Sequence, residues 1–477
     1  MAVNLTKGSP TKQIFLFSIP FLIGNLFQQF YNIADMVIVG RTLGSQAYAA
    51  VGATGSLVWF ASGAIQSLTV GFSVVTARSF GAKDEERLKR SFALAAELSA
   101  LISVVMAVLC VLIARPILEL MRTPADIIDR SYSYIVWLFA GLVATALFNL
   151  LSNMIRALGD SRTPLYFLIV ACLINIILDF VFIAVFGMDT DGAGLATVLA
   201  QLLSGLCCLV YIKKKQPLLH LKRAHFRPSG DTLRALLNVG IPMAFLNMVL
   251  SIGSIVMQFV TNGLGTLYVS SQTTGSKIET FVTQPILSFG SSVSVFAAQN
   301  YGAKQYGRVV LGGKQTLRLC YGWCIIASLI MLPFGKFFVT LLAGKVEQAV
   351  IDNAYLYIVI NTLLCFVLSP LVIYKSVLQS VERTFWTMVS GFTEILGRAG
   401  LSVAVIWLMS ISVLDRATGY IVMCFASPLA WLFGLLTILL DYLFMVRTFK
   451  QKEKEREAEQ AQPKPICDFP LDKEAKV

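Results

Sequence analysis

The sequence has little charge for its length. Of 477 residues, 14% are charged and 56% are hydrophobic, whereas an average soluble domain is about 25% charged and about 45–50% apolar. Soluble domains of this size could not bury so many apolar side chains. Three long stretches contain no acidic residue, lysine or arginine, namely Thr42–Ala77, Gly192–Ile212 and Ala235–Ser276. Because a membrane-spanning helix needs about 20 such residues, the sequence predicts a polytopic membrane protein.

Histidine is scarce, and the cysteines are not arranged as zinc ligands. His220 and His225 lie together in one basic segment, and the nine cysteines include no C-x-x-C pair. Cysteines placed singly in apolar segments are more often small packing groups than metal or disulfide partners. Since no nucleophile–base pair can be identified either, we expect that the chain is not an enzyme.

A nucleotide-binding loop is also missing. The pattern G-x-x-x-x-G-K-[ST] is approached at Gly313-Lys314, but Arg308 replaces its first glycine and Gln315 replaces its hydroxyl residue. The net charge of +12 comes from basic residues scattered between apolar segments, a distribution typical of the cytoplasmic loops of membrane proteins. We therefore expect the lipid bilayer as a partner, and neither nucleotide nor nucleic acid.

Apolar stretches along the chain predict an all-α fold of twelve transmembrane helices. They lie at about 14–39, 46–77, 92–114, 131–155, 164–187, 192–212, 236–261, 267–299, 315–335, 353–380, 385–410 and 417–446. The predicted domains are a six-helix lobe (1–212), a basic linker (213–234), a second six-helix lobe (235–448) and a charged tail (449–477). The connections after even-numbered helices carry most of the lysine and arginine, which predicts a plasma (inner) membrane protein with both termini cytoplasmic.

The two halves of the sequence resemble each other. A shift of 221 residues places Ser67–Lys83 on Ser288–Lys304 with seven identities in seventeen positions. The repeat spans six helices, so both copies enter the membrane in the same direction. Parallel repeats of this kind form two lobes in transporters, and movement of one lobe against the other gives alternating access to a central site.

Two acidic residues within predicted helices mark a candidate coupling site. A charge inside a membrane helix costs about 2.5–3.5 kcal/mol on insertion scales, so each is a functional candidate. Asp35 and Asp179 have no cation nearby in the sequence; Tyr31 and Asn175 precede them by one helical turn, and Thr197 is expected at a similar depth. Two carboxylates held close together cannot easily both ionise. We expect these five residues to bind a proton, or Na⁺ at Asp35, Asn175, Asp179 and Thr197; the alternative is that the two acids merely hydrogen-bond helices together.

Further polar positions predict a cavity and a hinge. Pro20 removes a backbone hydrogen bond inside the first helix and permits a bend, although a static kink is equally compatible. A polar stripe of the first helix and its counterpart in the second half provide the predicted substrate-cavity residues Asn25, Gln28, Asn32, Asn247 and Gln258. The second stripe is neutral, with Val256 and Met257 at the position that corresponds to Asp35, so we assign cation coupling to the first lobe.

The remaining intramembrane charges favour a structural or gating role. This interpretation applies to Lys277, Glu279, Glu394 and Arg398, and Lys375 is a further intramembrane charge. Glu394 and Arg398 are four residues apart on a helix, a spacing that predicts mutual neutralisation. Lys277 and Glu279 are two residues apart and need other partners.

The order and spacing of these motifs resemble the multidrug and toxic compound extrusion (MATE) family over essentially all twelve helices. The motifs are Ile19-Pro20, Tyr31-Asn-Ile-Ala-Asp35, Phe80-Gly81-Ala82-Lys83-Asp84, Arg156-Ala-Leu-Gly-Asp160-Ser-Arg162-Thr163-Pro164, Asn175-Ile-Ile-Leu-Asp179 and Gly192-Ala-Gly-Leu-Ala-Thr197. The resemblance implies two six-helix lobes in a V shape and antiport of organic cations against H⁺ or Na⁺, with no other cofactor. Asp35 and Asp179 match first-lobe acids of the family, Tyr31, Asn175 and Thr197 match their polar neighbours, and Pro20 matches the bending proline of the DinF-like branch.

Small lipophilic or cationic compounds are therefore the predicted cargo of an exporter. The alternative is a lipid-linked precursor flippase of the wider superfamily, which shares this architecture. Such a flippase needs a basic central cavity for phosphates, whereas the candidate charges of the first lobe are acidic. The sequence does not distinguish H⁺ from Na⁺, because the same oxygen atoms serve either ion.

Overall fold

The computed structural model describes residues 4–121, 123–227, 229–344 and 346–461. Residues 459–461 are described by their backbone alone. Cys467 and the predicted tail beyond residue 461 lie outside the described residues. Within those ranges the secondary structure is helical, without a β-strand. The α-helices are α1 (Pro10–Leu43), α2 (Ser45–Gly81), α3 (Glu85–Leu120), α4 (Ile128–Ala140), α5 (Leu142–Ala157), α6 (Arg162–Phe180), α7 (Thr190–Lys215), α8 (Gly230–Leu264), α9 (Thr266–Gly302), α10 (Tyr306–Ala343), α11 (Gln348–Ser380), α12 (Phe385–Ser410), α13 (Arg416–Cys424) and α14 (Ala426–Ala461).

Within the described residues the helices provide eleven candidate membrane spans, or twelve when the bent pair α4 and α5 is counted as one span, which confirms the predicted fold class. Eleven spans are long, apolar helices, and α4 with α5 forms the twelfth through a bend of 44°. The bend lies at Gly141, where a Cβ atom would collide with the side chain of Val198 in α7. A π-helical turn, Val181–Val185, extends α6. Most helices run several residues past the predicted apolar stretches, because their polar ends extend beyond the hydrocarbon layer.

Segments outside the spans are short and partly helical. The predicted linker contains the end of α7, two 3₁₀ turns at Pro217–Leu219 and Arg223–Phe226, and the start of α8. The described part of the predicted tail continues α14 as a helix, and Glu453 Oε2 accepts a hydrogen bond of 3.1 Å from the Gly307 backbone nitrogen. The start of the tail therefore packs against α10.

The hydrophobic core is divided between the halves of the chain. One buried cluster is formed mainly by α2, α3, α5, α7 and α8, and another mainly by α9, α10, α11 and α14. Leu5, Ile14 and Phe17 belong to the second cluster although they lie at the start of the chain. Near the start of the described chain, the Leu5 nitrogen donates to Gln299 Oε1, and near its end Arg456 Nη1 donates to the Lys304 carbonyl. We call this side of the helices, where α9 ends, the terminal face.

The two halves meet in a reciprocal contact at the terminal face. A Cβ atom on Gly81 would collide with the Gln299 carbonyl oxygen, and one on Gly302 would collide with the Arg78 carbonyl oxygen. These residues are exchanged by the 221-residue repeat, since Arg78 corresponds to Gln299 and Gly81 to Gly302. The contact is therefore isologous, like that of a two-fold dimer.

Side chains close the same contact. Arg78 Nε donates a hydrogen bond of 2.7 Å to the Ser380 carbonyl, and its Nη1 donates to Glu382. Gln299 Nε2 donates to the Ala157 carbonyl at 2.8 Å. Each repeat therefore caps the last turn of a helix in the other half, where backbone carbonyls lack helical partners.

Candidate functional site

Two carboxyl groups face each other inside the first half. Asp35 of α1 and Asp179 of α6 are buried, with 5% and 0% of their surface exposed. The Asp35 side chain faces Asp179 and the hydroxyl of Tyr134. Oδ1 of each aspartate has no hydrogen-bond partner, and no basic side chain lies beside either one in the described part of the chain. Two acids in such surroundings can share or take up a proton, or ligate a small hard cation.

Three polar side chains surround the pair. Asn175 Nδ2 lies 3.3 Å from Thr197 Oγ1, and with its amide in the opposite orientation it donates to Asp179 Oδ2 at 3.2 Å. Thr197 Oγ1 donates to the Ala193 carbonyl at 3.1 Å. Tyr31 approaches Thr197 with its hydroxyl. The structure thus brings together all five residues of the predicted coupling site and provides carboxylate, amide and hydroxyl oxygens.

Tyr134 of α4 is a member of this cluster that sequence reasoning missed. The signal was present in the repeat, where Tyr132-x-Tyr134 matches Tyr355-x-Tyr357. In the second half Tyr357 Oη donates to Glu279 Oε2 at 2.5 Å. Equivalent tyrosines of the two repeats therefore each face a membrane-embedded carboxylate, although the acids are on non-equivalent helices.

A polar cavity of about 120 Å³ adjoins the acid pair within the first half. Its polar lining consists of carboxamides, hydroxyls and one arginine: Asn25, Gln28, Gln66, Asn149, Asn175, Gln201, Tyr31, Ser62, Thr145, Ser152, Thr197 and Arg156. Asn25 and Gln28, two of the predicted substrate-cavity residues, line this cavity. Tyr31, Asn175 and Thr197 line the cavity, and Tyr31 and Asn175 also lie beside the aspartates.

The other three predicted cavity residues do not line this cavity. Asn32 is exposed, Asn247 packs beside Gly63 of α2, and Gln258 donates to Asn262 on its own helix at 2.8 Å. A helical stripe indicates which residues share a face, but it does not indicate which neighbouring helix that face contacts. The cavity also differs from expectation in charge, because its charged lining residue is Arg156 rather than an acid.

Lys375, Glu394 and Arg398 of the second half find partners on other helices. Glu394 Oε1 accepts from Lys375 Nζ of α11 at 2.5 Å and from Ser390 Oγ at 3.0 Å. Arg398 Nη1 instead donates to Ser254 Oγ of α8 at 3.0 Å. The predicted pairing of Glu394 with Arg398 is therefore wrong, because the Glu394 carboxylate pairs with Lys375 of the neighbouring helix α11 instead.

The Lys375–Glu394 pair leads to a stability prediction. We expect Glu394→Gln to destabilise the protein by about 3–5 kcal/mol, because it leaves a buried lysine without its counter-charge. The double variant Lys375→Met/Glu394→Gln is expected to recover most of this loss. Thermal unfolding in detergent measures both. The exposed pair Lys336–Asp352, with atoms 2.7 Å apart, is the matched control, and its Asp352→Asn variant should change little. A double variant as unstable as the single one would contradict the prediction.

Comparison with known proteins agrees with the repeat and with the fold. The MatE family model matches residues 20–181 and 242–402, once in each half. Probable multidrug resistance protein YoeA of Bacillus subtilis is 32% identical over 322 residues, which cover 66% of this chain and 68% of that protein. Probable multidrug resistance protein YpnP of the same organism is 25% identical over 417 residues, covering 85% and 93%. A MOP superfamily transporter from Pyrococcus furiosus, described as having a binding pocket of reverse polarity, superposes with a TM-score of 0.84 at 22% identity, covering 94% and 98%.

Proposed function

Since this chain belongs to the MATE family of multidrug efflux transporters, we propose that it is a secondary antiporter that exports amphipathic organic compounds in exchange for H⁺ or Na⁺. Organic cations are the cargo expected from the acidic character of the coupling pair. The observation that carries the proposal is the buried contact of Asp35 with Asp179, each with an unpartnered oxygen. Two carboxyl groups inside a membrane are energetically costly, and binding of a proton or Na⁺ neutralises their charge.

Coupling follows from the residues that the pair shares with the cavity. Tyr31 and Asn175 lie next to the acids, Thr197 contacts both of these residues, and all three line the cavity. A cation that binds at Asp35 and Asp179 reorients these donors and lowers the affinity of the cavity for cargo. Cargo binding reverses the effect and releases the cation, so the two ligands exclude each other.

Helix α1 connects this exchange to movement of the lobes. Pro20 lies inside α1, and Asp35 lies roughly 22 Å further along the same helix at 1.5 Å per residue. We propose Pro20 as the hinge of α1, since the backbone bond that a proline lacks permits bending there. The lobes would be residues 1–212 and 235–448, joined by 213–234, in a plasma membrane with both termini and the tail 449–477 cytoplasmic.

Reconstitution in liposomes tests the antiport mechanism. A proton gradient and a sodium gradient are imposed separately while efflux of a fluorescent organic cation is recorded. We expect efflux to follow one of the two gradients and to stop when that gradient is collapsed by an ionophore. Efflux that is indifferent to both gradients would overturn cation-coupled antiport.

The lipid-linked precursor flippase is the second candidate, and one observation favours it. The cavity contains a single charged lining residue, and that residue is basic. A flippase would move a phosphate-bearing lipid analogue between leaflets and would not expel the organic cation. The two assays therefore separate the candidates in the same liposomes.

A further inference from the structure

We infer that Arg156 forms a binding subsite for an oxyanion, a carboxylate or phosphate, carried by the transported compound. The inference refines the cargo class and rests on the transport function proposed above. It begins from the surroundings of the guanidinium. Arg156 Nη1 donates to Asn153 Oδ1 at 3.2 Å, and the guanidinium carbon lies 4.5 Å from the ring centre of Phe21. Nε is buried and has no hydrogen-bond partner.

Arg156 has no acidic partner within the described part of the chain. Arg78 and Arg383 do have one, since Arg78 pairs with Glu382 and Arg383 pairs with Asp441. Arg398, like Arg156, lacks an ion pair among the described residues, but it donates to the Ser254 hydroxyl of a neighbouring helix. The coupling acid Asp35 is fourteen residues beyond Phe21 on α1, which places it roughly 21 Å from the level of Arg156. The cation is therefore not neutralised by the protein, and it lies in a membrane-embedded cavity where charge is costly.

The cavity around Arg156 can complete the coordination of an oxyanion. Asn149 and Ser152 lie on the same helix and line the same cavity, as does Gln201 from α7. The Asn149 amide donates one of its two hydrogens to the Thr145 carbonyl at 2.9 Å, which leaves the other for a ligand. The Gln201 amide oxygen accepts from the Thr145 hydroxyl, which leaves its NH₂ group as a donor. A guanidinium binds carboxylate and phosphate through two parallel N–H groups, and hydrogen bonds to charged acceptors are the strong ones. Arg156 is thus the anchoring charge and its neighbours are the additional donors.

A purely structural role does not account for this arginine. A basic residue in the last turn of a helix stabilises the helix through the dipole, and Arg156 occupies that position in α5. The same argument would apply to the equivalent helix of the second half. In that helix, the residue that corresponds to Arg156 under the 221-residue shift is Val377, which is fully buried and apolar. The arginine is therefore specific to the half that contains the polar cavity.

Binding of two matched dyes to the full-length protein tests the subsite. One dye is a rhodamine with a free carboxylate, and the other is its methyl ester, which lacks that negative charge and is larger by one methyl group. Fluorescence polarisation gives the affinity of each without any gradient. We expect Arg156→Gln to weaken binding of the carboxylate dye about tenfold to hundredfold while leaving the ester within about twofold, because one charge-assisted contact is lost. Arg156→Lys should recover part of the affinity.

Controls separate this inference from the proposed antiport. Arg162→Gln removes an exposed arginine six residues away and should leave both dyes unaffected. Asp35→Asn should keep the affinity difference between the dyes even though gradient-driven transport is lost. The dye measurement therefore tests the subsite separately from the antiport mechanism. Equal weakening of both dyes in a folded Arg156→Gln protein, or no change in either, would overturn the subsite.

Competition identifies the source of the oxyanion. A short-chain phosphatidic acid and a soluble aromatic carboxylate are each titrated against the bound carboxylate dye. Displacement at lower concentration by the lipid assigns the subsite to a lipid phosphate, and the reverse order assigns it to a drug-like carboxylate. Displacement by neither would overturn the subsite.

Discussion

Asp35→Asn and Asp179→Asn are each expected to abolish gradient-driven transport while the protein stays folded. Asparagine has nearly the volume of aspartate and keeps one acceptor oxygen, so the packing of α1 against α6 should be retained. It cannot take up a proton or supply a negative charge to Na⁺. Because the two acids face each other, loss of either one breaks the cation site. Efflux of a fluorescent organic cation from gradient-loaded liposomes measures the loss.

The controls for this prediction distinguish coupling from folding. Asp129→Asn removes an exposed acid whose Oδ1 lies 2.8 Å from Arg115 Nη1, and it should transport normally. Exchange of cargo without a gradient should persist in Asp35→Asn, since the cavity is intact. Wild-type gradient-driven efflux in both single variants would rule out this pair as the coupling site and favour a helix-tying role for the two acids.

Gly81→Ala is expected to open the contact between the halves at the terminal face. Its Cβ atom would collide with the Gln299 carbonyl oxygen, a backbone atom that cannot rotate away. Overpacking of this kind typically costs about 1–3 kcal/mol, which shifts a two-state equilibrium by about 5-fold to 150-fold. We therefore expect a large drop in transport and a shift toward the state in which the halves separate at this face. Distances between spin labels on α2 and α9 measure the separation.

The repeat supplies internal controls. Gly302→Ala should have the same effect, because Gly302 makes the reciprocal contact with Arg78. Gly55→Ala, on the same helix as Gly81, adds a Cβ atom with no neighbour within 4 Å and should leave the distances and transport unchanged. Unchanged label distances in Gly81→Ala would show that the contact yields without separating the halves.

Much of the candidate site could be predicted before any coordinates. Asp35, Asp179, Asn175, Thr197 and Tyr31 were recognisable because polar side chains in apolar helices are few, and because helix direction places them at similar depths. Tyr134 was not recognised, since its helix carries no intramembrane charge to draw attention to it. Asn247 and Gln258 share a polar face, but the sequence does not indicate which helix that face contacts.

The sequence by itself determined the twelve spans, the repeat and the depth of the two aspartates. Each is a property of a continuous run of residues, because hydrophobicity and helical rise act along the chain. Tertiary structure alone decided that Lys375 pairs with Glu394, that Arg156 faces a cavity, and that Gly81 contacts Gln299. These contacts join helices far apart in sequence, and hydrogen bonds and ion pairs act only over a few ångströms. Their partners are therefore set by how the helices pack.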